Sequence, residues 1–559
     1  WDAVRNLGRL AELSIVDTET GAVTPLLGEA PYANVEVTDD GSHLFYVIGQ
    51  PLRTSYSRGE GTEYSYFRIP LGADGLPAGD PETVTEAGER QKRLEISPDG
   101  FSVAWADRGD LFVHAVGADS AVKISEDLRT HLSAADTTKR SFSLERWAPD
   151  GSSLLARAQD GWYLVAPDGS SSERVWAIPG DTEEDRRKAP ARSVVQWTED
   201  GRYLYATHSA RDRWERGMVR FDLEERAEEV LFADANLYRS VTVARDGSRI
   251  VARLSDGDRP DDLVAWDGRA VGRRALTDLN GFLDQVAMTR SELIEYLDVD
   301  GEKQFGVLYY PVGYEAGEAY PLVAEVYEEF FDNGYRESAN LIAAQGWFML
   351  RPSVGFEIGF PGEAWLKGVT AAVNDLIGKG LVDGDRLGIH GTSYGGYATN
   401  LIVTQTDRFA AAINISGKVN IISFLGDSEK ITVRNYNAAE ETQDRIGATL
   451  WEQPQKYIAH SAVMFADRVD TPLLLLTGQG DWNVPATNTR EMYYALRRLD
   501  KEVVWVNYMR GGHGGGWASS EGDYRDQWRR IIDWYRTHFD DQAEREPVAD
   551  GASGAGLSP

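Results

Sequence analysis

The sequence predicts a chain of two parts: an all-β N-terminal half of the β-propeller type, and an α/β C-terminal half with a largely parallel sheet. Three observations carry this reading. A turn phrase recurs five times before residue 250, the texture changes after Asp298-Val-Asp-Gly301, and a glycine-bracketed serine follows an apolar run at Leu387–Tyr397. At 559 residues the chain exceeds the length at which a single core stops growing, so at least two domains are expected.

The turn phrase appears as Thr38-Asp-Asp-Gly41, Ser97-Pro-Asp-Gly100, Ala148-Pro-Asp-Gly151, Thr198-Glu-Asp-Gly201 and Ala244-Arg-Asp-Gly247, at intervals of 46 to 59 residues. Each Asp-Gly supplies the positive φ of a tight turn, and short alternating strands flank it. Such strands at a period near fifty, with no helix between them, are the pattern of a propeller. Five clear repeats plus a partial start around Leu13–Gly21 give about six blades. An open end leaves unpaired edges, so the loss of one or two blades with the N-terminus is an expectation. The aspartates are read as turn residues, because no segment has the spaced oxygen ligands of a calcium loop.

In the second half, apolar runs at 304–311, 321–327, 347–352, 386–391, 410–416, 472–478 and 503–508 alternate with amphipathic segments at 363–378, 487–499 and 522–538. Strand–helix alternation implies a sheet covered on both faces, with function at the carboxyl ends of its strands. The expected division is 1–288 for the β domain, 289–541 for the α/β domain and 542–559 for a disordered, polar tail.

Composition narrows the function. Hydrophobic residues at 42% and aromatics at 11% are those of a folded globular protein, and no run of eighteen apolar residues offers a membrane span. A net charge of −31 argues against nucleic acid, whose phosphates would be repelled. The absence of cysteine excludes disulfides, thiolate metal sites and a cysteine nucleophile. The first residue is Trp1, so the numbering is expected to begin after something was removed. The compartment stays open, with a periplasmic or secreted location somewhat favoured over the cytoplasm. No metal or cofactor is implied, and a homo-oligomer stays open.

The chemistry gathers at Gly391-Thr-Ser-Tyr-Gly395, which fits the strand–turn–helix pattern G-x-S-x-G with Ser393 at its tip. That turn exposes the hydroxyl and aims the Tyr394 N–H at a developing oxyanion. Three histidines follow Ser393: His460, His513 and His538. His513 stands among five glycines in Arg510-Gly-Gly-His-Gly-Gly-Gly516, a loop able to approach other groups closely, and is the expected base. The strand read at 472–478 delivers Asp481 to the same sheet edge, where it is expected to orient His513.

These three stretches make the region from about 295 to 540 resemble the prolyl oligopeptidase family of serine peptidases. The matching motifs are Gly391-Thr-Ser-Tyr-Gly-Gly-Tyr397, Leu476-Thr-Gly-Gln-Gly-Asp481 with Val484-Pro485, and Gly512-His-Gly514. The resemblance implies an α/β-hydrolase catalytic domain behind the propeller, with Ser393 as nucleophile, Asp481 as orienter and His513 as base. It further implies that a tyrosine hydroxyl, at Tyr327, completes the oxyanion hole; a core tyrosine at a strand end is the alternative. The partner is then a peptide substrate, and the propeller is expected to exclude large ones. Glu328 and Glu329 depart from the glycines usual after that tyrosine. They either face away or recognise a cationic group of the substrate. Tyr397 and Lys418 are candidates for the border of the specificity pocket, with a surface lysine as the other reading of Lys418. The same triad suits an ester or another acyl compound, and a non-catalytic propeller binding protein is the third alternative.

Overall fold

The structure, a computed structural model, describes residues 7–38, 40–52, 61–88, 94–126, 128, 139–210, 213–257, 259–328, 332–427 and 434–543. Most of the expected disordered tail, from residue 544 on, lies outside these, as does Glu329. The chain divides into two compact units, Trp1–Leu254 with Asp261–Leu279, and Ser255–Pro260 with Asn280–Pro559.

The first unit is a β-propeller that, among the described residues, holds five four-stranded antiparallel sheets and one two-stranded hairpin, Ala11–Val16 with Val23–Ala30. The recurring Asp-Gly joins the first strand of every four-stranded sheet to its second. At each one the glycine N–H donates three residues back, as from Gly151 to the Ala148 carbonyl at 2.9 Å, with φ between 69° and 75°. The aspartate Oδ1 accepts the N–H two residues on: Ser42, Phe101, Ser152, Arg202 and Ser248, all within 3.0 Å. These carboxylates therefore close turns, as the spacing predicts.

Neighbouring sheets of the first unit join through aromatic rings. Trp162 stacks on Trp176 with centroids 4.6 Å apart, and Trp176 on Phe221 of the next sheet at 4.9 Å. Beside this stack, Asp160 sits in a hairpin turn with its side chain 6% exposed, accepting from Arg140 and Arg174 at 3.1 Å each and from the Tyr163 hydroxyl at 2.9 Å. Burial pushes this carboxyl up, but its bonds to Arg140 and Tyr163 hold it below the usual carboxylate range.

The second unit holds one eight-stranded sheet. Its strands are β1 (Ser291–Leu297), β2 (Lys303–Tyr309), β3 (Tyr320–Glu325), β4 (Phe348–Pro352), β5 (Val382–Thr392), β6 (Ala411–Ile415), β7 (Leu473–Gly478) and β8 (Val503–Tyr508), in spatial order 1-2-4-3-5-6-7-8. β1–β2 and β2–β4 pair antiparallel and the others parallel. This is the strand order of an α/β-hydrolase fold, and β4, β6 and β7 are buried along their whole length, as parallel strands between helices must be. The helices that matter for the site are α1 (Glu337–Ala343), α2 (Pro361–Gly378), α3 (Tyr394–Val403), α4 (Ala486–Arg498) and α5 (Glu521–Ala543). The sequence reading lacked β1, because Asp298-Val-Asp-Gly301 is the β1–β2 hairpin turn within the sheet rather than its outer boundary.

Removing the Asp160 carboxylate is expected to destabilise the propeller by roughly 3 kcal/mol, the low end for breaking a buried ion pair. In Asp160→Ala the near-ultraviolet signal of Trp162 and Trp176 should be lost at lower urea concentration than in the unmutated chain. An unchanged midpoint would show that this ion pair does not hold the sheet.

Candidate active site

Ser393 stands between β5 and α3 with φ 59°, a left-handed conformation that a non-glycine residue adopts only under constraint. The constraint is close backbone contact. A Cβ at Gly391 would overlap the backbone of Gly395, and one at Gly395 would overlap the Val326 carbonyl oxygen. The two flanking glycines thus let α3 start directly against the ends of β3 and β5. As the first residue of α3, Tyr394 has a main-chain N–H beyond the reach of any intrahelical acceptor.

Asp481 follows β7 with its side chain fully buried. Its Oδ1 accepts the N–H groups of Asn483 at 2.8 Å and Val484 at 2.9 Å, which fixes the carboxylate, and its Oδ2 lies 2.8 Å from Nδ1 of His513. The His513 loop after β8 packs backbone to backbone: a Cβ at Gly478 would overlap the Gly512 carbonyl, and one at Gly511 the Gly515 carbonyl. Gly514 donates to Ser416 Oγ at 3.0 Å, tying this loop to the end of β6. With Nδ1–H donated to Asp481, Nε2 is the basic nitrogen, and it accepts from the Asn483 side-chain amide at 3.2 Å. Asn483 is a participant that the sequence reading missed.

Ser393, His513, Asn483 and Tyr327 line one cavity of about 740 Å³. The Tyr327 hydroxyl accepts from the Gln443 side-chain amide at 3.1 Å, and its carbonyl accepts from Trp365 Nε1 at 2.8 Å. Arg445, itself at φ 52°, places Nη1 3.1 Å from the Tyr394 hydroxyl, 2.6 Å from the Gln443 carbonyl and 3.2 Å from Glu328 Oε1. The segment 443–445 therefore grips both tyrosines, and nothing local in its sequence announced this.

Three expected pocket residues do not line the cavity. Glu328 is ion-paired with Arg445, so its charge is answered within the chain. Tyr397 is fully buried, its hydroxyl donating to the His460 carbonyl at 3.0 Å. Lys418 is neither a surface lysine nor a pocket residue: it is 4% exposed, paired with Asp444 and set 4.6 Å from the Phe424 ring and 5.1 Å from that of Tyr397. Burying an ammonium demands such a partner, and Asp444 supplies it.

Below Ser393, a second polar cluster lines the same cavity. Glu325 at the end of β3 lies 3.4 Å from Arg351 Nε, accepts from Ser338 Oγ at 3.1 Å and faces His390 Nε2 at 3.8 Å. The Tyr535 hydroxyl lies 3.0 Å from His390 Nδ1, the arrangement that directs the Nε2–H toward Glu325. Burial disfavours the charged carboxylate, but the His390 bond and the Arg351 charge outweigh it and bring the Glu325 carboxyl down to about 2.

Comparison with known proteins finds similarity in sequence and in fold. The prolyl oligopeptidase family matches residues 361–542. That match covers about a third of the chain, all of it within the second unit. An uncharacterized peptidase, YuxL, of Bacillus subtilis is 26% identical over 362 residues, covering 61% of this chain and 53% of that protein. Dipeptidyl-peptidase 5 of Porphyromonas gingivalis is 23% identical over 451 residues, covering 73% of this chain and 62% of that one. The chain thus spans between half and two-thirds of the length of these relatives. Among solved structures, a Mycobacterium tuberculosis puromycin-hydrolyzing peptidase superposes with a TM-score of 0.69 at 19% identity, over 94% of this chain and 83% of that one. The Pyrococcus horikoshii acylaminoacyl peptidase does so with 0.65 at 18%, over 94% and 84%. These likenesses are of fold.

The low Glu325 value carries a sign. A folded value of about 2 against an ordinary 4.5 means that the carboxylate stabilises the fold above pH about 4.5. That contribution fades as pH falls from there to about 2, and amounts to roughly 3 kcal/mol in full. The second unit should lose stability over that window. Glu325→Gln should flatten the loss while lowering stability at neutral pH, as followed by denaturation at stepped pH.

Proposed function

We propose that this protein is a serine peptidase that hydrolyses peptide bonds of oligopeptides through an acyl-enzyme. The observation that carries this reading is the 2.8 Å contact between Asp481 and His513, a residue that lines the same cavity as Ser393. A serine hydroxyl attacks only when a base takes its proton and a third group fixes that base. Here Asp481 is anchored by two backbone N–H groups and holds His513 in the tautomer with Nε2 basic.

In the first half-reaction Ser393 Oγ bonds to the scissile carbonyl carbon as His513 Nε2 takes the hydroxyl proton. Negative charge then gathers on the carbonyl oxygen, within reach of the Tyr394 N–H and the Tyr327 hydroxyl. Collapse breaks the C–N bond, His513 returns its proton to the leaving amine, and the acyl group stays on Ser393. Water, deprotonated by His513, then releases the acid. The names of the relatives, peptidases throughout the comparisons above, support a peptide as substrate over a simple ester.

Gln443 is read as a positioning residue: by donating to the Tyr327 oxygen it fixes where that hydroxyl points. Arg445 is read as the group that neutralises Glu328 beside the developing oxyanion.

Ser393→Ala should abolish labelling by a fluorophosphonate probe and lower kcat by about 10^4-fold or more. A chain that resists the probe while folded, or a variant that still labels, would overturn the assignment. Tyr327→Phe should lower kcat by about 100-fold with little change in KM. Gln443→Ala should act through the same group, so the double variant should fall short of the product of the two single effects. A fully multiplicative double variant would place Gln443 outside the oxyanion site.

A further inference from the structure

The cavity that holds Ser393 does not end at the serine. It continues past Thr392 and His390 to Glu325, Arg336 and Arg351, and is closed on another side by Gln527, Trp528 and Ile531 of α5. Successive residues of β5 alternate between the two faces of the sheet. Ile389 belongs to the core cluster that includes residues of α2 and α3, whereas His390 meets Tyr535 of α5. The inner part of the cavity therefore lies on the α5 face, the side on which Gly514 and Trp517 of the His513 loop also line it. His513 must hand its proton to the leaving amine, so the departing portion of a substrate lies on this side.

Charge decides what that portion carries. Histidines apart, the charged residues lining the cavity among the described residues are Arg336, Arg351 and Glu325: two guanidiniums against one carboxylate, in a chain whose net charge is −31. Glu325 is occupied by Arg351, Ser338 and His390. Arg336 is the charge in excess. Its ion pair with Asp332 is 4.0 Å long, the outer limit of such a contact, and both side chains are 37% exposed. A guanidinium at the wall of a cavity is the group best suited to grip a carboxylate, because its donors match the two oxygens.

The geometry points to a subsite, reached from Ser393 on the leaving-group side, in which Arg336 with Arg351 behind it binds a carboxylate of the departing peptide. This rests on the peptidase reading above. The carboxylate has two possible sources, a free C-terminus close to the cut or an acidic side chain in the leaving portion. At about 740 Å³ the cavity falls within the range of ligand sites, roughly 300–1,000 Å³, which suits a short departing fragment.

Two matched peptide libraries test this, one ending in free acids and one in amides, each with acidic and isosteric amide side chains near the end, with cleavage read by mass spectrometry. Fluorophosphonate labelling of Ser393 is measured on the same preparation. A charge-assisted contact should favour carboxylate-bearing substrates in kcat/KM by about tenfold or more, chiefly through KM. In Arg336→Ala that ratio should collapse toward one, and Arg336→Lys should restore part of it. Preference for free acids assigns the carboxylate to the C-terminus; preference for acidic side chains within the amide library assigns it to the side chain. A ratio near one in both comparisons, in unmutated protein whose serine labels, overturns the subsite. So does a ratio that survives Arg336→Ala. A folded protein whose serine fails to label instead overturns the peptidase reading beneath it.

Discussion

The structure of the second unit turns on one close approach, the contact of Gly395 at the start of α3 with the Val326 carbonyl after β3. Without a Cβ at Gly395 the helix can begin against the strand ends, and Ser393 is then forced to φ 59°. A strained backbone of this kind costs on the order of 1–3 kcal/mol and persists only where surroundings over-determine it. The surroundings are the fully buried strands β6 and β7 and a helix α3 buried at every residue from Tyr394 to Val403. The same approach brings Tyr327, one residue past Val326, to within 6.0 Å of the Tyr394 ring in an edge-on contact. Two tyrosines that flank the serine thus owe their adjacency to a missing methyl group.

Adjacency alone would leave those tyrosines free to turn, and the segment 443–445 removes that freedom. Gln443 meets the Tyr327 oxygen, while Arg445 joins the Tyr394 hydroxyl, the Gln443 carbonyl and Glu328. Electrostatics explains why a guanidinium stands there. An unpaired carboxylate at Glu328 would raise the energy of any anion forming near Tyr327, and an arginine 3.2 Å away cancels it locally. Just behind, Asp444 holds Lys418 beneath the elbow helix, so three consecutive residues stabilise the serine's surroundings from one side.

What the sequence made legible was local. Positive-φ glycines after aspartates marked the propeller's turns, and apolar runs marked most strands of the sheet. Glycine brackets around Ser393 and His513 marked backbone packed too closely for side chains. The same locality explains the misses. Asp298-Val-Asp-Gly301 has the form of a propeller turn, so the strand before it went unrecognised as the first of the sheet. Lys418 finds its partner 26 residues away, Tyr397 63 residues away and Glu328 117 residues away, and no periodicity reports such pairings. Gln443 and Arg445 lie in a polar stretch whose meaning appears only when β3 and α3 are folded beside it. The fold class was therefore readable, while the lining of the cavity was not.

The net charge bears differently on approach and on binding. At −31 the chain repels anionic peptides at long range, but salt at physiological strength screens exposed charges beyond about 8 Å. Inside the cavity that screening is weak, and the local balance of Arg336 and Arg351 against Glu325 outweighs the distant surface. Under the proposed function, selection between substrates would then be made after entry, by the groups that line the cavity. In such a site, added salt should weaken the recognition of a carboxylate less than it weakens surface attraction. Discrimination is therefore expected to appear in how long a peptide stays bound rather than in how fast it arrives.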